Sequence, residues 1–178
     1  MSVSDNSVFI KTSSGALNLI GAGANGISLN YGGFANLSNT HVSGSADDGL
    51  DPRFNSMIAF DSGSTSNNNS SNGARLQFGS TLRAYSTSFD NNGGNGIWNY
   101  HGSLLYINDS TASNNGHAGV ANSRVSSAWA YNSTFNSNVR GFDTYSNSYG
   151  EYSGTNTATG NSTGNLNTSS DSSSNYSN

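Results

Sequence analysis

Three aspartates, Asp47, Asp48 and Asp51, fall within five residues of one another, with Arg53 just beyond. Carboxylates held a few ångströms apart can serve as general acid and base on a glycosidic bond. The same oxygens could ligate Ca²⁺. An aspartate ahead of a glycine, as in Asp48-Gly49, is equally a turn former. Catalysis by Asp47, Asp48, Asp51 and Arg53, cation ligation and a plain turn therefore all stay open. No repeated calcium-loop pattern accompanies the cluster, so no metal and no other cofactor is expected. A second group is aromatic: Trp98 and Tyr100 stand two apart, the spacing at which strand residues share a face. Flat rings cover the apolar face of a pyranose, and planar polar groups bond its hydroxyls. His41, His101 and His117 have unrelated spacings and read as surface residues, and no nucleophile–base pair or phosphate loop is present.

The elements that would position these groups must be unusual, because the composition is. Of 178 residues, 36 are Ser, 29 Asn and 22 Gly, and only 9% are charged, against roughly 25% in ordinary domains. So polar a chain could stay disordered. Yet it has 19 aromatic residues spread along its length, recurring at fixed intervals. There is no Cys, so no disulfide framework supports the fold. A net charge of −4 with six basic residues excludes a nucleic-acid footprint. No signal peptide is recognised at the N-terminus, and no apolar run approaches the roughly 18–20 residues of a membrane span.

The intervals define a repeat. Gly26-Ile27, Gly49-Leu50, Gly73-Ala74, Gly96-Ile97, Gly119-Val120 and Gly141-Phe142 are 23, 24, 23, 23 and 22 residues apart. Asn165-Leu166 is a weaker seventh mark. Asn-, Asp-, Ser- and Gly-rich turns precede each glycine. Counting onward, the ninth position holds Ala35, Ile58, Leu82, Leu105, Ala128 and Gly150. The eleventh holds Leu37, Phe60, Ala84, Ile107, Ala130 and Tyr152, and the sixteenth Val42, Thr65, Phe89, Ala112, Phe135 and Thr157. Nine and eleven differ by the strand period. Each repeat thus supplies three short strands, and Gly, Asn, Ser and Thr are too dense for helix. Stacked about 4.8 Å apart, the repeats predict an all-β parallel β-helix, a solenoid of about six coils with three parallel sheets. A hydroxyl column at position fourteen (Thr40, Gly63, Thr87, Ser110, Ser133, Thr155) would bond from coil to coil. Residues 1–25 read as an N-terminal cap or incomplete coil, 26–166 as the solenoid, and 167–178 as a flexible polar tail.

In this register Ser28, Asp51, Arg75, Trp98, Ala121 and Asp143 share outward position two, and Asn30, Arg53, Gln77, Tyr100, Ser123 and Tyr145 share position four. Asp51, Arg75, Gln77, Trp98 and Tyr100 are therefore a candidate glycan-binding face, or an interface between subunits. A second outward set, Arg83, Tyr85, Tyr106, Trp129 and Tyr131, with Glu151 beyond it, reads as an interface or a second glycan face. The open ends of such a stack call for caps or association. No outward Thr-x-Thr column is apparent, which disfavours an ice-binding face.

Runs such as Ile107-Asn-Asp-Ser-Thr-Ala-Ser-Asn-Asn-Gly116 and Ala130-Tyr-Asn-Ser-Thr-Phe-Asn-Ser-Asn138 resemble right-handed β-helix repeats of the pectate-lyase-like superfamily. The mixture of Ser/Asn/Gly coils and Tyr-rich strands is most similar to bacteriophage tail fibre and tailspike proteins. That resemblance implies a homotrimer in the virion tail or extracellular space, binding a bacterial surface polysaccharide and entering no membrane. Asp51-Pro52-Arg53 resembles an element of alginate epimerases, with Arg53 and Phe54 where those have His and Glu. Ser45-Ala46-Asp47-Asp48 resembles the paired-Asp element of polygalacturonases. A polysaccharide lyase, epimerase or hydrolase is thus the alternative, and a structural spacer the third reading.

Overall fold

The structure is a computed structural model that describes residues 1–3, 6–11 and 15–176. Among the described residues, nineteen strands wind into about seven turns of a parallel solenoid and no helix occurs. Sheet A stacks β1 (Ser2–Val3), β4 (Ile27–Leu29), β7 (Leu50–Pro52), β10 (Ala74–Leu76), β12 (Ile97–Asn99), β14 (Ala118–Asn122), β16 (Arg140–Thr144) and β18 (Gly164–Thr168). Sheet B stacks β2 (Val8–Lys11), β5 (Phe34–Ser38), β8 (Met57–Asp61), β11 (Thr81–Tyr85), β13 (Leu104–Asn108), β15 (Ser127–Tyr131), β17 (Tyr149–Ser153) and β19 (Ser173–Tyr176). Sheet C has β3 (Leu17–Ile20), β6 (Thr40–Ser43) and β9 (Thr65–Asn67), and then continues as one-residue parallel bridges through Ser88, Thr111, Thr134 and Thr157. Residues before Gly26 supply one strand to each sheet, and within 167–178 the strand β19 pairs with β17.

The columns counted from the glycines are the core. Leu82 pairs Ile58 and Leu105, and Ala84 pairs Phe60 and Ile107, all buried. The repeating glycine answers to space. A Cβ on Gly73 would stand 2.6 Å from the Gly96 carbonyl, and one on Gly96 2.6 Å from that of Gly119. Neighbouring coils meet backbone to backbone there, and any side chain would push them apart.

Position sixteen differs from the count. Thr65 and Thr157 point outward in line with Ser88, Thr111 and Thr134, while Ser66 and Ala158 follow Val42, Phe89, Ala112 and Phe135 on the inner side. One extra residue enters these two coils between sheets B and C, at Gly63 and Gly154, whose φ values of +74° and +77° absorb it. Position fourteen shifts likewise: Ser64 replaces Gly63, and Asn156 replaces Thr155. The Thr40 N–H donates to Ser64 Oγ at 3.1 Å, and the Ser133 N–H to Asn156 Oδ1 at 2.6 Å.

The buried turns before sheet A carry two amide ladders. In one, the backbone N–H of Asn69, Asn92, Asn115 and Asn138 donates to the side-chain oxygen of the asparagine one coil on, at 2.8–3.0 Å. In the other, the N–H of Asp48, Asn72, Asn95 and Ala118 donates to the side chain one coil back, at Asn25, Asp48, Asn72 and Asn95. Each side chain satisfies a backbone donor that the turn would otherwise leave buried and unpaired.

Candidate functional site

The outward column of sheet A runs Ser28, Asp51, Arg75, Trp98, Ala121, Asp143, Asn167. Its first half is closed by charge. Asp48 and Asp51 are 0% and 1% exposed. Arg53 Nη2 lies 2.6 Å from Asp51 Oδ2, and Arg75 Nε lies 2.8 Å from Asp48 Oδ2 and 3.8 Å from Asp51 Oδ1. Asp47, nearly half exposed, stands 3.7 Å from Arg75 Nη2. Asn25 and Gln77 amides donate to Asp51 at 2.6 and 3.2 Å.

Asp48 occupies an amide position of the ladder. Its Oδ1 accepts from the Asn72 backbone and side chain at 3.1 and 2.8 Å. Its Oδ2 stands where an asparagine would present Nδ2, and a carboxylate has no proton to give. The 2.8 Å approach of Arg75 is an ionic contact, since neither Asp48 Oδ2 nor Arg75 Nε completes an aligned hydrogen bond. Burial pushes the Asp48 carboxyl above its ordinary value, opposed by the Asn72 hydrogen bonds and by Arg75. The hydrogen bond to Asp51 raises the Arg53 guanidinium. Two of the three carboxylates thus face the chain's own arginines and amides inside the wall, and the guanidiniums stand where a bound cation would have to sit.

The second half of the same column is open. Trp98 is followed by Ala121, then by Asp143. The missing bulk at Ala121 leaves a hollow of about 520 Å³, bordered by Trp98, Asn95, His117, Arg140 and Tyr145. A second hollow, of about 400 Å³, continues past Asn167 and Ser169 and shares Arg140, Asp143 and Tyr145 with the first. The two hollows lie side by side along the coil axis, meeting at these three residues, and are together called the trough. Indole Nε1 of Trp98 donates to Ser123 Oγ at 3.3 Å, which fixes the ring. Asp143 is buried, accepting Arg140 Nη1 at 2.9 Å and Asn167 Nδ2 at 3.0 Å. Arg140 itself is 49% exposed and keeps unused donors toward solvent.

Of the five residues expected to form one glycan face, Trp98 lines the trough, while Asp51, Arg75 and Gln77 belong to the charge network. Tyr100 packs instead against Trp98 and His101, with ring centroids 4.7 and 3.7 Å away and the Arg124 guanidinium 4.8 Å from its own. Counting in register placed Asp143 and Tyr145 on the right columns but gave no reason to join them to Trp98. The usable signal was the small Ala121 between two large neighbours.

Two further surfaces are aromatic. At the turn between sheets A and B, Tyr31, Phe54, Phe78 and His101 stack at 4.9 Å intervals, each with φ between 51° and 53°. Partial burial and Arg124 hold the His101 imidazole below its ordinary value. On sheet B, Arg83, Tyr106, Trp129 and Glu151 form one outward column and Tyr85, Asn108 and Tyr131 the next. Tyr106 and Trp129 stack at 4.8 Å and 8°. A hollow of about 280 Å³ lies between the columns.

Three parallel sheets stacked coil on coil define a parallel β-solenoid. A family model described as right handed beta helix region matches residues 6–177, and the chain belongs to that family. Comparison with curated proteins and with solved structures returns no match.

Proposed function

We propose that the chain is a carbohydrate-binding β-helix of the tail fibre and tailspike kind, holding a bacterial surface polysaccharide in the trough of sheet A. The carrying observation is that two hollows adjoin at Arg140, Asp143 and Tyr145, which line both. From the coil of Asn72 to that of Asn167 is four coil steps, roughly 19 Å, which suits a linear oligosaccharide laid along the stack. Trp98 offers a fixed aromatic wall, Ala118 and Ala121 a small-residue floor, and Asn95, His117 and Arg140 donors at the rim. This is the mixture of apolar surface and few placed polar groups that sugar sites use. On this reading the protein works in a virion tail or outside the cell, and it requires that the homotrimer expected from the resemblance leave the trough uncovered.

The test is a panel of bacterial surface polysaccharides against the purified protein, with Trp98→Ala as the probe. Trp98→Ala should weaken binding more than about tenfold while circular dichroism stays unchanged. A wild-type protein that retains no member of the panel, or a Trp98→Ala variant that binds as well, overturns the reading. Mass measurement in solution checks the trimer separately.

A further inference from the structure

We infer that the sheet B hollow is a second binding site, which takes a quaternary ammonium group. It stands independently of the glycan trough, on a different face and on different residues. The rings of Tyr85, Tyr106, Trp129 and Tyr131 line a space of about 280 Å³, with Tyr106 and Trp129 stacked on one another through one face each. That volume is small for a sugar chain and ample for a compact cationic head group. Ring faces left free attract a cation through their quadrupoles, and quaternary ammonium ions are ligands that groups of such rings recognise.

Two observations give the sign of the ligand. Beside the hollow, off its lining, the same sheet face already holds a cation: the Arg83 guanidinium lies 5.7 Å from the centroid of Tyr85. On the lining itself stands Glu151, which has no salt bridge to any described cation. Its Oε2 accepts the Tyr149 hydroxyl at 3.1 Å, which fixes the carboxylate beside the rings. One ring of this face therefore already attracts a cation, and a carboxylate with no ionic partner stands on the lining of the hollow. A neutral or anionic ligand would leave that charge without a partner, whereas a trimethylammonium group would gain both the carboxylate and the rings.

Choline and its neutral isostere 3,3-dimethylbutan-1-ol separate charge recognition from simple apolar filling. In a Trp98→Phe background Trp129 is the sole tryptophan, so its fluorescence reports this site. Choline should quench it saturably, with Kd of about 1–10 mM, and the alcohol should not. Glu151→Gln, isosteric and on the surface, should weaken choline about three- to tenfold. Sedimentation with phosphatidylcholine vesicles then tells a membrane head group from a soluble or polymer-borne ammonium, and either result upholds the site. Equal binding of the two probes, indifference to Glu151→Gln, or no saturation by about 100 mM choline overturns the inference.

Discussion

Sheet A presents one outward column in two conditions. Over its first coils, Asp47, Asp48 and Asp51 are locked to Arg53 and Arg75, and the surface is filled from within. Over its last coils, Trp98 and Asp143 flank Ala121, and the surface is hollow. The column register runs unbroken through both, while the strands lengthen from three residues to five and side-chain bulk and charge pairing change. A solenoid wall is thus a scaffold whose outer columns are free to vary because the inner ones carry the fold. The region that looks most like chemistry in a linear reading is the one that has used its charges for structure.

That contrast predicts unequal costs for losing an arginine from each half. Arg75→Ala leaves Asp48 and Asp51, both essentially inaccessible, without their shared cation. It should cost about 3–5 kcal/mol, read as a lowered urea midpoint. Arg140→Ala removes a half-exposed partner from Asp143, which keeps its Asn167 bond. It should cost about 1 kcal/mol or less. Equal losses would mean that the two halves are held in the same way, and the comparison would fail.

A sharper probe is Asp48→Asn, which restores an amide to the ladder. The new Nδ2 can donate to Asn25 Oδ1, as Asn72 and Asn95 donate to the side chain one coil back. That Nδ2 would meet Arg75 Nε, 2.8 Å from the present Oδ2, donor against donor, so Arg75 must turn wholly to Asp47 and Asp51; with that turn made, stability at neutral pH should rise by about 1 kcal/mol. The pH dependence fixes the cause. Burial raises the folded Asp48 carboxyl above its ordinary value of 3.8, so between the two values the folded state holds more protons than the unfolded. Wild-type stability therefore falls as pH climbs through the folded value. The advantage of Asn should be smallest below about pH 3.8 and reach its plateau above the folded value, as thermal melts across the acid range would show. An advantage independent of pH would point to packing instead.

The fold was legible because the core obeys two periods at once, two along the strand and 23 between coils, so columns one, nine and eleven align by counting. The count failed at position sixteen because an interval of 24 announces an inserted residue without locating it. Gly63 and Gly154 sit in runs where Gly and Ser are common, and nothing local marks them. Asp48 was legible as a carboxylate but not as a ladder member, since that role appears only when residues are counted backward from each glycine, through Asn25, Asp48, Asn72 and Asn95. The trough was hidden for a different reason. A hollow is made by what Ala121 lacks, and hydrophobic patterning records what is present. Nor did any pattern mark the ring stack, because Tyr31, Phe54, Phe78 and His101 occupy left-handed positions where Gly or Asn would be expected.

That stack borders both halves of sheet A and gives the finest test of how the wall is held. Phe78 lies 4.9 Å from Phe54 and from His101, yet its φ of 53° is a strained one for a bulky side chain. Asparagine tolerates that backbone. Phe78→Asn therefore exchanges relief of strain for the loss of two ring contacts, each worth about 0.5–1.5 kcal/mol. Opposing terms of similar size should leave the net change within about 1 kcal/mol, measured by urea unfolding. A loss of several kcal/mol would mean that the rings, rather than the amide ladders and the charge network, hold this corner of the solenoid closed. The difference between the filled and hollow halves would then be one of decoration on a wall supported elsewhere.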